Sequence, residues 1–571
     1  MSTFNAEKTR KRNNIIIMAI SFFIMAMVVI SVVVVLDKPS VDQQEPNNDN
    51  NNHTIIATLD TLCGFTDYRN VCQATLAPTV GYQSQVENYF QAAVNATLVE
   101  MRNVVEIPKR YIDNTTNHME MYALEDCIQV LDLCIDELEY VMATQPLEAL
   151  LNNSDDVRNS LSAVVAYQQA CLEGLVYANS SSNFQEDLKL SIELASNALA
   201  IEFNYSENDD KDDEDDEAVQ KNRRLLSVTS KEGNFNDVGY PTWLTAADRR
   251  LLQVDVDVLA PHAVVAQDGT GQFEKIADAV KAYPKNHTGR YIIYVKSGEY
   301  RETITITKEK INVFMYGDGA TETVVIGRRK NTTVYRSATF SAIGKGFICK
   351  HMGFTSAGYR PDKVALRVQS DQAAFFNCAI DGTIGPLLAL AHRQFFRHCK
   401  ISGTLNIITG DSALVIQNSW IIVKKPVLTR KATVTANGRS DRHENTGFVL
   451  HNCAVVPDEK FKPERFNYST YLGVALNKYA RTIVMESELG DFIHPEGWLT
   501  GDEDIGAYTV NFAEYKNNGP GAQTSKRVNW PGYKEITDEN KAMHYAPDRF
   551  IQIEEWLKMD VEIPYHAGLY N

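Results

Sequence analysis

Positive charge is what this 571-residue chain has too little of. Its 56 Lys and Arg stand against 73 Asp and Glu, for a formal net charge of −17. Phosphate backbones require a basic surface, so the balance disfavours nucleic acid as a partner. Reactive motifs are also missing. The sequence has no glycine-rich phosphate loop, HExxH, EF-hand loop, CxxC pair or GxSxG, so nucleotide and metal chemistry have no support and no cofactor is expected. Cysteine is sparse, and the odd count of nine leaves at least one thiol unpaired unless it bridges two chains.

The chain that remains is long enough for two domains, and 44% hydrophobic residues are enough for packed cores. Residues 1–14 include the basic run KTRKR and read as a cytosolic tail. Residues 15–36 form an uncharged, predominantly apolar run of 22 residues, long enough to cross a membrane as a transmembrane or signal-anchor segment. The rest of the chain is then lumenal or extracellular. Nine N-x-S/T sequons agree, at Asn52, Asn95, Asn114, Asn152, Asn179, Asn204, Asn286, Asn331 and Asn467. Residues 37–57 are polar and Asn-rich and read as a stalk.

From 58 to 202 the pattern is helical. In LEDCIQVLDLCIDELEYVM, Leu124, Ile128, Leu131, Ile135, Leu138 and Met142 recur at steps of three and four, which marks one face of an amphipathic helix. Two further segments behave alike, predicting a helical bundle. Cys63 and Cys72 are close together, and Cys127 and Cys171 sit on separate helices at positions that could be bridged. An acidic linker follows over 203–255, with the run ENDDKDDEDDE at 207–217 and RRLL twice, at Arg223-Arg224 and Arg249-Arg250. Paired arginines in an exposed linker invite a processing protease, and cleavage after the second RRLL would release residues 253–571.

Residues 256–571 are β-rich. Cys378, Ile380, Gly382 and Thr383 are matched 21 residues later by Cys399, Ile401, Gly403 and Thr404, and Phe375 by Phe396. A weaker third copy places Ser419 twenty residues after Cys399. Such a period predicts stacked coils, each unable to bury its hydrophobic face alone, and fits a parallel β-helix better than a sandwich.

Several longer motifs then resemble a known family: YPTWLTAADRRLLQ, VVAQDGTGQFEKIADAV, YIIYVKSGEYRE, RSATFSAIGKGFI, YARTIVMES and EYKNNGPGA. Over nearly all of 58–571 the chain resembles a plant pectinesterase precursor with an N-terminal pectinesterase-inhibitor domain. The resemblance implies a four-helix inhibitor domain, with Cys63, Cys72, Cys127 and Cys171 as its structural cysteines, and a right-handed parallel β-helix. It implies a cell-wall protein acting on methylated homogalacturonan, with pectin or active pectinesterases as partners. In that reaction one aspartate attacks the ester, a second shuttles the proton, glutamines stabilise the oxyanion and an arginine orients the nucleophile.

Laid on this sequence, each role falls on a substituted position. Active members have GTVDFIFG where this chain has GTLNIITG, so the nucleophile position is Asn406, which stands between Leu405 and Ile407 as in a strand facing a cleft. GYQDTLY is replaced by GTIGPLL, so the oxyanion glutamine is Ile384, the acid–base aspartate Gly385 and a substrate-stacking aromatic Leu388. QAVALR is replaced by DKVALR, which puts Asp362 at the second oxyanion position, where a carboxylate would repel the developing charge. YLGRPWK is replaced by YLGVALN, leaving Val474 for the orienting arginine and Leu476 for the stacking tryptophan. Ser419 replaces a family cysteine, so its usual partner Cys453 is expected to be free. The expectation is a pseudoenzyme that binds pectin or, preferably, active pectinesterases through the helical domain. The alternatives are an active esterase using relocated Asp362, Asp381 or Asp411, and a structural wall glycoprotein. Gly410-Asp411-Ser412 resembles the nucleophile block of some serine esterases, but turn chemistry accounts for it more economically.

Overall fold

The computed structural model describes residues 56–144, 154–180, 183–206, 260–327, 332–357, 363–501, 506–557 and 563–570. The basic tail, the apolar segment 15–36, the stalk up to residue 55, both RRLL sites, Asp362 and the sequons at Asn52, Asn152 and Asn331 lie outside them. Among the described residues, no helix is long and apolar enough to cross a membrane.

Four long helices form the N-terminal bundle: α1 (Val86–Val104), α2 (His118–Ala143), α3 (Ser154–Tyr177) and α4 (Phe184–Tyr205). The side chain of Asn117 caps α2 by accepting from the Met119 amide at 3.0 Å, satisfying a donor that the first turn leaves open. The predicted stripe on α2 is only half right. Leu124, Leu131 and Leu138 are fully buried, while Ile128, Ile135 and Met142 are half-buried. The buried face is broader and includes Cys127, Val130 and Cys134, because α2 packs against both α1 and α3. Disulfides Cys63–Cys72 and Cys127–Cys171 tie the bundle. The other five cysteines, Cys453 among them, are free and buried. A buried ion pair, Arg158 to Glu202 at 2.8 Å, joins α3 to α4.

The C-terminal part is a stack of parallel strands in three sheets, one of eleven and two of eight strands. Eight full coils each give one strand to the first, second and third sheet in chain order, as Ala373–Phe376, Ala379–Asp381 and Leu387–Ala389 do, and the first, eleven-stranded sheet has three further strands at its ends. The sequence repeat is the register of this stack. Phe375 pairs with Phe396 and Ile380 with Ile401 across neighbouring coils, and Ile401 pairs with Ile421 in the third copy. The Phe375 and Phe396 rings stack at 4.5 Å. One corner of the coil is marked by a residue at positive φ: His351, Asn377, His398, Asn418, Asn452, Glu486 and Lys516. A single left-handed residue turns the chain sharply, and Asn is among the residues that tolerate it.

The bundle rests on the coils through a continuous apolar core. Val364, Leu388, Leu390 and Ala391 of the coils are buried in the same cluster as Leu161, Val164 and Val165 of α3. Around this core run charged contacts. Arg393 reaches Asp156 of α3 at 2.6 Å and Asp371 at 2.9 Å. Asn159 donates to Asp371 at 3.1 Å, and His392 meets Glu137 of α2 at 3.1 Å. Lys308 bridges Asp132 and Asp136, each at 2.6 Å, and Arg336 reaches Glu125 at 2.8 Å.

Burial alone would raise the Asp371 carboxyl, but Arg393, His392 and Lys345 reverse this and hold it well below the usual carboxylate range. Asp371→Asn should therefore destabilise the chain by about 3–5 kcal/mol at neutral pH, the usual cost of stranding a buried partner. Because the folded-state pKa is depressed, this contribution is complete above the unfolded value of about 3.9. It is lost as pH falls toward the folded value. Thermal unfolding of both chains between pH 7 and pH 2 should show the gap closing below about pH 4; a gap that stays constant to pH 2 would contradict the assignment.

Candidate active-site cleft

Of the positions that the resemblance makes reactive, Ile384, Gly385 and Asn406 fall on one corner of two neighbouring coils, and Leu388 and Val474 on the outer face of the third sheet. Asn406 is not in a strand, contrary to the alternation of Leu405 and Ile407. It lies between strands Lys400–Gly403 and Ile408–Gly410 with φ 49°. The short polar side chain of Asn or Asp suits this left-handed site, so the residue type has a backbone reason that strand periodicity hides. Gly385 is its equivalent one coil earlier, with φ 57°, and the neighbouring pair Ile384 and Leu405 bridge the two coils. The proposed nucleophile and acid–base positions are thus stacked at one corner.

The side chain of Asn406 is held locally. The backbone N–H of Asn406 donates to Thr433 Oγ1 at 2.7 Å, and that hydroxyl donates to Asn406 Oδ1 at 2.7 Å. Asn406 is half-buried, so a ligand could touch it, but a neutral amide carries no anionic oxygen. A Cβ built on Gly385 would meet only Thr409 Cγ2 at 3.6 Å and the Asn406 carbonyl at 3.8 Å. The space for a side chain exists, and the chain leaves it empty. Ile384 offers no side-chain donor.

On the third sheet the outward row reads Ser341, Arg367, Leu388, Thr409, Ala436, Val474 and Leu499. Val474 therefore shares a row with Leu388, as a cleft floor requires. Arg367 is the row's only charge, and its guanidinium lies over the Tyr335 ring at 3.4 Å. Leu476 is 36% exposed. Its neighbour Asn477 reaches Glu173 of α3 at 3.2 Å.

Helices cover this floor. Leu388 is 9% exposed and buried in the core shared with the bundle. Two of the candidate relocated acids are committed elsewhere. Asp381 lies on the second sheet, bonded to Ser402 and Lys424. Asp411 is buried, accepts from Thr446 Oγ1 at 2.5 Å, and is pushed up by its burial. At the seam, Asp67, Asp441 and His443 bring ligand-type atoms together, but Arg442 pairs with Asp67 at 3.1 Å and Ser196 donates to Asp441.

Of the described sequons, Asn95, Asn114, Asn179, Asn286 and Asn467 are exposed, while Asn204 is half-buried in α4. The seam residues Asp371, His392 and Arg393 had no signal in the sequence, since their partners lie more than 200 residues away.

Comparison with known proteins agrees with this architecture. Residues 262–554 match the pectinesterase family, and residues 57–201 match the plant invertase/pectin methylesterase inhibitor family. The chain is 37% identical over 530 residues to a probable pectinesterase/pectinesterase inhibitor of Arabidopsis thaliana, covering 90% of this chain and 82% of that one. It is 34% identical to pectinesterase 1 of Citrus sinensis, over 90% of this chain and 89% of the other. The pectin methylesterase from carrot superposes with a TM-score of 0.54 at 36% identity, over 55% of this chain and all of that one. The chain belongs to the pectinesterase family and carries an N-terminal inhibitor-type helical domain.

Proposed function

We propose that this chain is a pectinesterase-family protein of the plant cell wall that does not hydrolyse esters, and that its cleft serves as the seat of its own helical domain. The observation that carries the reading is the corner shared by Gly385 and Asn406. Two stacked positions there would have to supply a nucleophilic and a proton-shuttling carboxylate, and neither has one. Asp381 and Asp411 cannot replace them without leaving Lys424, Ser402 and Thr446. Loss of a nucleophile and its base together costs orders of magnitude in rate.

The apolar segment 15–36 would deliver the chain to the secretory pathway and hold it at a membrane, and the exposed sequons suit glycosylation there. A processing protease would cut at the RRLL pairs. Release of residues 253–571 would not follow directly, because the shared core and the ion pairs of α2 and α3 hold the two parts together. Pectin is the class of polymer that a cleft of this family would contact. Aliphatic Leu388 and Leu476, however, offer no aromatic face for a sugar ring, and Leu388 is covered. The same packing weighs against the helical domain acting on other pectinesterases, since the acidic faces of α2 and α3 already engage Lys308, Arg336 and Arg393.

Two assays test this reading. Methanol release from methylated pectin by the intact chain, and by the chain cut in its linker, should equal the no-enzyme control. The variant Asn406→Asp with Gly385→Asp should fold, because both sites accept a short acidic side chain, and turnover by the unaltered chain would overturn the reading. In a second assay, a tenfold excess of intact chain should leave the rate of an active plant pectinesterase within about twofold of its value alone, since a partner enzyme would first have to displace a seated domain. Stoichiometric inhibition would show that the helical domain acts in trans.

A further inference from the structure

A second cavity lies away from the cleft, where the bundle, the coils and the C-terminal segment meet. It has a volume of about 160 Å³. Its walls are basic: Arg158 from α3, Arg481 from the coils, and Lys534, Lys541, His544 and Arg549 from the C-terminal segment. Two acids also line it, Asp155 and Glu444. Glu444 is buried, and its Oε1 already accepts from the backbone N–H groups of Ser440 and Asp441 at 3.2 and 2.7 Å. Lys534 and Arg549 are exposed and form no ion pair among the described residues. The cavity is too small for a folded partner and the right size for a few carboxylates presented by an extended chain.

One such chain starts at its rim. Helix α4 ends at Tyr205, and Phe203 on its last turn lines the cavity. Ser206, the last described residue before the linker, accepts a hydrogen bond from Arg158 Nη2 at 2.6 Å. The next eleven residues, 207–217, hold nine Asp and Glu and one Lys. We propose that the acidic run 207–217 binds in this basic cavity, so that the start of the linker ties the helical bundle to the C-terminal segment. A tether this short sets a local concentration on the order of millimolar, which a free polyanion would have to exceed. Both RRLL sites lie beyond the run, so a cut at either leaves it attached to α4. The contact would then outlast processing. The proposal is independent of whether the cleft is catalytic.

The test uses the full chain. The rate of acetylation at Lys534 and Lys541, followed by mass spectrometry, is compared between the native chain and a variant with every Asp→Asn and Glu→Gln across 207–217. The variant should be modified at least threefold faster at about 10 mM salt, where charges act over long range, with the difference vanishing near 1 M. Zero-length carbodiimide coupling of the native chain should join these lysines to residues 207–217. Equal acetylation rates, or coupling of the lysines only to other carboxylates, would overturn the proposal. So would protection of the native chain's lysines by added trigalacturonate as strong as in the variant, which would assign the open cavity to a wall polyuronate.

Discussion

The structure depends on the seating of an apolar helical face on the apolar floor of the cleft. Val364, Leu388, Leu390 and Ala391 are buried with α3 in one core, and the charged contacts at Arg393, His392, Lys308 and Arg336 lie around that core. Burial of continuous apolar surface supplies the non-directional attraction. The surrounding pairs fix the orientation, because a buried or half-buried charge tolerates only a partner placed correctly. Aliphatic residues on this floor need no polar partner from the helices that cover it. On the proposed reading, replacement of the reactive side chains and burial of the floor are one change seen from two sides.

The coils themselves are indifferent to that change. Their stability comes from stacked ladders such as Phe375 on Phe396, from inward rows of aliphatic side chains, and from left-handed corners. None of these uses the outer face of the third sheet. The corner at Gly385 and Asn406 takes a left-handed backbone conformation that glycine and asparagine both tolerate.

Much of this was legible in the sequence. The 21-residue repeat is the strand register itself, and the three-and-four spacing of α2 located a helix of the bundle. What was misread has identifiable causes. Asn406 looked like a strand residue because Leu405 and Ile407 flank it, yet periodicity cannot report a positive φ. The half-burial of Ile128, Ile135 and Met142 follows from α2 packing against two neighbours, which one stripe cannot encode. The seam between domains was invisible, because Asp156 and Arg393 or Asn159 and Asp371 are brought together only by the tertiary fold. The resemblance supplied the positions Ile384, Gly385, Leu388, Asn406 and Val474, and the structure sets the described ones around one cleft.

The central claim is that the cleft has become a seat. It is tested most directly by cutting the chain after Leu252 and following the two pieces by size-exclusion chromatography at nanomolar concentration. The account predicts that they travel as one particle of the uncut size and separate only under denaturing conditions. Elution of a free β-helix from the cut chain in native buffer would contradict it.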